Sequence, residues 1–101
     1  MAQRIVLQEH DVQNALRSLP GWSIKKGKLH KTLVFGSFRE AFTFMAGAAL
    51  IAEKLNHHPD WSNVYNRVVV DLMTHDAGGI TDLDLTFAGE ADRIAQGLGA
   101  G

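Results

Sequence analysis

The chain has 101 residues, with ten Lys+Arg against eleven Asp+Glu and a net charge of −1. That is room for one small domain over residues 1–101, and the charge total gives no general attraction to nucleic acid or an anionic membrane. Hydrophobic residues are 46% and charged residues 21%, a globular balance, and the absence of cysteine excludes disulfides, thiolate catalysis and cysteine-ligated metal sites.

A cysteine-free small domain fits a reducing compartment. Residues 1–10 include Arg4, Gln8, Glu9 and His10 and no long apolar stretch, so no signal peptide is expected. The longest apolar-rich run, residues 42–52, is far short of the roughly 20 residues that cross a bilayer. The expectation is a soluble, cytoplasmic protein.

Val12, Ala15, Leu16 and Leu19 recur at helical spacing, and Pro20-Gly21 stops that helix. Trp22 and Ile24 alternate with polar residues. Lys26-Gly27-Lys28 then turns the chain, and Leu29, Lys31, Leu33 and Phe35 continue with period two, which reads as a β-hairpin. Lys25, Lys26, Lys28 and Lys31 form a basic cluster, read as the solvated tip of this hairpin. Ser37-Phe38-Arg39-Glu40 is a capping box. The helix it opens carries Phe38, Phe42, Met45, Ala49, Ala52 and Leu55 along one side, and the small residues 46–49 permit close packing. Pro59 ends any helical continuation.

Residues 61–65 read as a strand, Asn66-Arg67 as a tight turn and residues 68–74 as a second strand. On that strand Val68, Val70 and Leu72 share one face; Val69, Asp71, Met73 and His75 share the other. Apolar residues on both faces suggest that the second is covered by a loop, a ligand or a partner subunit. Residues 76–79 form a loop, and Thr81-Asp82-Leu83-Asp84 is a second capping box. The last helix carries Leu83, Phe87, Ala91, Ile94, Ala95 and Leu98, and residues 97–101 are expected to fray. The order α-β-β-α-β-β-α predicts a two-layer α+β fold. Its four-stranded antiparallel sheet is built of two hairpins, with about three helices on one face. The sheet edges invite self-association.

Residues 53–59 read Glu53-Lys54-Leu55-Asn56-His57-His58-Pro59, and His75 closes the later strand. Adjacent histidines cannot share one side of a helix or strand, so they suit a loop lining a pocket. Histidine is also the side chain that ordinarily exchanges protons near neutral pH. Glu53 lies four residues before His57, so a helix continued to His57 would let its carboxylate hold that imidazole. The helix dipole disfavours Glu53 in a last turn. Asp82 and Asp84 open the last helix, close in sequence to His75. His10 and His30 are expected at the surface.

Three readings of the cluster stay open: a polar helix exit, a three-histidine metal site, and a metal-free acid/base pair. Adjacent histidines rarely aim both rings at one ion, and no pair of histidines has the i, i+4 spacing of helical zinc sites. In the acid/base reading one imidazole protonates a leaving hydroxyl while another group removes a proton next to it, as a dehydratase requires. Trp22, Phe35, Trp61 and Tyr65 are candidate walls for an aromatic substrate, or plain core. Ser18, Ser23, Ser37 and Ser62 lie in no nucleophile elbow, and Gly78-Gly79 lacks the lysine of a phosphate loop.

The stretch from Glu53 to Pro59, then Trp61, Asn63-Val64-Tyr65-Asn66-Arg67-Val68, Leu72-Met73-Thr74-His75 and the capped helix with Asp84, closely resembles the signature of the pterin-4a-carbinolamine dehydratases. Gly21-Trp22 and residues 38–44 resemble that family too, and the likeness covers roughly residues 12–96. It implies a hydro-lyase that dehydrates 4a-hydroxytetrahydropterin to quinonoid dihydropterin, recycling the cofactor of aromatic amino-acid hydroxylases. It implies no metal and no organic cofactor. By resemblance His57, His58 and His75 are the active-site histidines, with His57 and His75 the acid/base pair and His58 positioning the pterin. Glu53 and Asp84 would orient imidazoles. The pterin would lie against His57, His58 and Pro59 and against Thr74, His75, Asp76 and Ala77. The family forms dimers and often tetramers. Its animal members also serve as a dimerisation cofactor for a homeodomain transcription factor, a role nothing in this chain signals. One departure is Asn56, where animal members carry aspartate. The alternative from another class is a non-enzymatic partner-binding module on the same fold; a zinc hydrolase is a distant third.

Overall fold

Lys26 and Gly27 both take positive φ, 53° and 77°. That is the two-residue turn whose twist matches antiparallel strands, and it joins β1 (Ser23–Lys25) to β2 (Lys28–Val34). The computed structural model describes residues 4–100. Before this hairpin come α1 (Glu9–Ala15) and a 3₁₀ turn, Leu16–Ser18. After it come α2 (Phe38–Leu55), β3 (Asp60–Val64), β4 (Arg67–Leu72) and α3 (Asp82–Gly97). The four strands form one antiparallel sheet in the order β1-β2-β4-β3. The expected two-layer α+β fold is therefore the observed one.

Sheet register sets the core. Leu29 pairs with Leu72 and Leu33 with Val68 across β2 and β4, and these residues are fully buried beneath the helices with Val70. Phe44 and Ala48 of α2 and Phe87 and Ala91 of α3 close over them. At Gly47 an added Cβ would stand 3.1 Å from Ile94, so the two helices approach closely where α2 is slimmest.

Several expectations change. The buried line of α2 is Ala41, Phe44, Ala48 and Ala52, while Phe38 and Phe42 lie outside with their rings 5.8 Å apart. Apolar residues surround this helix, so periodicity alone does not choose a face; close packing on the sheet selects the small ones. Ser37 Oγ accepts from the Glu40 amide, but the Glu40 carboxylate takes the Gly36 amide instead of the Ser37 one. The β3–β4 turn is Tyr65-Asn66, one residue earlier than expected, with Tyr65 at φ 50°.

The tail does not fray through Ala100. Gly99 at φ 72° lets its own amide reach Gln96 O and the Ala100 amide reach Ala95 O, a closed helix end; Gly101 lies outside the described residues. Lys31 is no part of a solvated tip. Its place between Leu29 and Leu33 aims it inward, where Nζ donates to Asp92 Oδ1 and Pro20 O, each at 2.9 Å. Trp22 Nε1 donates to both oxygens of the same buried Asp92. His30 also leaves the surface: it is half-buried on the outer sheet face, with Nδ1 2.9 Å from Asp71 Oδ1 on the neighbouring strand. Among the described residues no helix is long and apolar enough to cross a membrane.

Candidate active site

The site begins where α2 stops. Asn56 takes the left-handed conformation, φ 50° and ψ 47°, which asparagine tolerates better than most residues. Its amide then bonds Glu53 O and the His57 amide bonds Ala52 O, the reversed pairs that close a helix C-terminus. This reversal takes His57 off the helix face that carries Glu53. The sequence spacing suggested a Glu53–His57 pair; the structure instead splits the two histidines between two carboxylates.

His57 turns inward and is 8% exposed. Its Nε2 lies 2.5 Å from Asp84 Oδ1. Asp84 is fully buried and sits at the third position of α3, where it completes the Thr81 capping box. Its Oδ2 accepts the Thr81 amide and the Thr74 hydroxyl, both at 2.9 Å. A carboxylate only accepts, so the hydrogen between His57 and Asp84 belongs to Nε2. Nδ1 has no hydrogen-bond partner among the described residues. Among the described residues no buried side-chain nitrogen or oxygen lacks a partner, so Nδ1 reaches solvent. The carboxylate thus selects the tautomer and leaves the other ring nitrogen facing solvent.

His58 points away from this network. Its Nε2 lies 2.6 Å from Glu53 Oε2, and both side chains are largely exposed. Pro59 is half-buried and leads into β3. His75 does not end a strand, because β4 stops at Leu72; it is exposed in the turn over residues 75–78. Asp76 beside it is exposed and Ala77 half-buried. Thr74 is the hinge between these parts. Its hydroxyl serves Asp84, its amide bonds Gly79 O at 2.8 Å, and its carbonyl takes the Ala77 and Gly78 amides. The polar atoms of Thr74 are therefore engaged within the protein, and the exposed side chains of this turn are those of His75 and Asp76.

The carboxylates at the start of α3 divide as the histidines do. Asp82 is exposed and paired with Arg4, whose Nη1 reaches both of its oxygens. Among the described residues no three histidine, aspartate or glutamate side chains converge as a metal site requires. Of the candidate aromatic walls, Trp22 and Phe35 are core, the latter 5.2 Å from Phe44. Trp61 is half-buried on β3, close in sequence to His57. Tyr65 lies at the far end of that strand, ~16 Å of extended chain from Asp60. Two surface cavities, of ≈ 340 Å³ beside α1 and ≈ 280 Å³ on the outer sheet face, are lined by other residues. The buried polar network, not concavity, marks the site.

In the sequence Thr81 stands only as a helix cap. Its hydroxyl lies 2.6 Å from Thr74 Oγ1 and so belongs to the histidine's support as well. The cap pattern was the one visible signal, and it says nothing of what lies across from the cap.

Fold and site together define a class: a two-layer α+β protein that presents one imidazole nitrogen, backed by a buried carboxylate, to solvent. The chain belongs to the pterin-4a-carbinolamine dehydratase family, whose sequence profile, described as Pterin 4 alpha carbinolamine dehydratase, matches residues 5–94. A relative from Solibacter usitatus (strain Ellin6076), provisionally named a pterin-4-alpha-carbinolamine dehydratase, is 52% identical over 91 residues, covering 90% of this chain and 96% of that one. A relative of the same provisional name from Rhodopseudomonas palustris (strain BisB18) is 52% identical over 94 residues, or 91% and 93% of the two chains. A crystal structure described as a transcriptional coactivator/pterin dehydratase from Brucella melitensis superposes with a TM-score of 0.86 at 47% identity, covering 89% of this chain and 98% of that one.

Proposed function

We propose that this protein dehydrates 4a-hydroxytetrahydropterin to quinonoid dihydropterin by histidine acid/base chemistry. The observation that carries the reading is His57, pinned through Nε2 to buried Asp84 with Nδ1 turned outward, in a chain of the carbinolamine dehydratase family. The reaction breaks the C4a–O bond and an N5–H bond and forms the C4a=N5 double bond. A proton is delivered to the leaving hydroxyl, which departs as water, and another is taken from N5. His57 Nδ1 and the exposed His75 ring take these two roles. His58, held by Glu53, and the surfaces of Pro59, Asp76 and Ala77 position the pterin. Asp84 keeps the His57 ring oriented and does not touch substrate. The product, once reduced, is again the cofactor of an aromatic amino-acid hydroxylase, so such an enzyme is the proposed functional neighbour.

A second reading has one observation in its favour. Phe38, Phe42 and Leu50 lie four residues or multiples of four apart on α2, and all are exposed, Leu50 at 73%. Such a stripe suits association of copies into a dimer or tetramer, or a partner-binding role without catalysis.

The deciding experiment follows the ultraviolet decay of enzymatically generated 4a-hydroxytetrahydropterin with wild type, His57→Ala and His75→Ala. Acceleration by wild type that is lost in the variants supports the dehydratase. A folded wild type without acceleration rejects it in favour of partner binding.

A further inference from the structure

Asp84, Thr81 and Thr74 form a polar chain that is all but sealed from water, at 0%, 0% and 7% exposure. Hydroxyl hydrogens usually have a choice of direction; here they do not. Asp84 only accepts, so the hydrogen in the 2.9 Å contact with Oδ2 is the Thr74 hydroxyl's. Thr74 has no second hydroxyl hydrogen. The 2.6 Å contact between Thr74 Oγ1 and Thr81 Oγ1 is therefore filled by the Thr81 hydrogen. Thr81 Oγ1 in turn accepts the Leu83 amide at 3.3 Å. The donors run in one order, from Leu83 to Thr81, to Thr74, to Asp84, and His57 Nε2 meets the other oxygen of the same carboxylate.

We infer that Thr81 is a positioning residue for His57, acting through the Thr74 hydroxyl on the Asp84 carboxylate. A helix cap needs only an acceptor oxygen, which several residue types supply. The hydrogen that Thr81 donates is surplus to capping and does something else: it commits the Thr74 hydroxyl to Asp84. Without it, the Thr74 oxygen loses its donor and its hydrogen is free to turn elsewhere. The carboxylate torsion is intrinsically broad, so Asp84 would no longer hold one oxygen square to Nε2. The proton on His57 would then be shared between its two nitrogens, and the nitrogen offered to substrate would be in the wrong state part of the time.

The kinetic consequence rests on the dehydratase reading; the spectroscopic one does not. Nitrogen-15 spectra of histidine-labelled protein, at a pH where the imidazole is neutral, report which nitrogen of His57 carries hydrogen. Wild type and Thr81→Ser should show the Nε2–H form. Thr81→Val should show a mixture, with kcat down about tenfold, the size of one lost buried hydrogen bond, and KM little changed. Thr81→Ala is the second variant, since it presses no methyl group on Thr74 and folds if the valine form does not. A lost cap lowers stability without moving a proton on His57. Unchanged wild-type tautomer in folded Thr81→Val or Thr81→Ala overturns the inference, as does a serine variant that fails to restore the wild-type signature. The tautomer decides this even if wild type turns over no pterin, so failure of the dehydratase reading is told apart from failure of the positioning role.

Discussion

At the scale of single residues, the histidines differ in what their removal costs. His57 is one of three donors to a carboxylate with no access to water. His57→Ala leaves an Asp84 lone pair unsatisfied and should cost about 1–3 kcal/mol of stability. The same change should lower pterin turnover by roughly 10²-fold or more, the size of general acid–base catalysis. His75 is exposed, and among the described residues its ring has no hydrogen-bond partner. His75→Ala should therefore keep stability within about 0.5 kcal/mol of wild type while losing turnover. Urea denaturation and the carbinolamine decay assay, run on the same preparations, separate the two effects. If both variants keep full activity, the acid/base assignment is wrong. The His58–Glu53 pair is exposed on both sides and worth ~0–1 kcal/mol, so Glu53→Gln should act on pterin binding and hardly on folding.

At the scale of elements, the end of α2 decides the site. Asn56 in the left-handed region is the pivot that sends His57 inward. Asn56→Gly removes a strain of roughly 1 kcal/mol or less and should leave activity intact. Asn56→Val, β-branched and ill-suited to positive φ, should lower the unfolding free energy from urea denaturation by more than ~1 kcal/mol and cut turnover with it. Equal stability for the two variants would show that the pivot is not strained. A second element-scale device ties α3 to the first hairpin. Asp92 accepts from Trp22 and Lys31, both of which point into the helix–sheet layer. Asp92→Ala leaves a largely buried ammonium, 17% exposed, without its counter-charge and should cost about 3–5 kcal/mol. Trp22 fluorescence, measured through the unfolding transition, reports that loss at its own site.

At the scale of the whole molecule, the two faces of the sheet are unlike. One is sealed by helices; the other carries the His30–Asp71 and Lys28–Asp60 pairs beside the exposed Val34 and Val64. Hydrophobic surface is also left over on α2, where Phe38, Phe42 and Leu50 face away from the core. If copies associate through this stripe, Phe42→Lys combined with Leu50→Lys should lower the mass seen by sedimentation and leave the circular dichroism unchanged. Unaltered sedimentation would remove the stripe from the interface and point to the open edge of β3, whose backbone groups can pair with another strand.

Element types and their order were legible in the chain because they are local. The Lys26-Gly27 turn, the caps at Ser37 and Thr81, the stop at Pro59 and the alternation on β4 each depend on neighbours in sequence. So were the candidate site residues, since Glu53, His57, His58, His75 and Asp84 stand in a recognisable pattern. What the pattern did not contain is pairing. Glu53 is four residues from His57, and Asp84 is 27 away, yet Asp84 holds that ring because a left-handed Asn56 turns the chain before the helix can deliver it to Glu53. Lys31 read as solvent-facing from its basic neighbours, and His30 as surface, until the fold set Asp92 and Asp71 against them. Helical spacing put Phe42 on the apolar line, and the fold buries Phe44 instead, because α2 is apolar on several sides. The sequence by itself determined which groups exist and which elements carry them. Only the tertiary structure decided which groups meet, because partners far apart in the chain are chosen by the packing of helix on sheet.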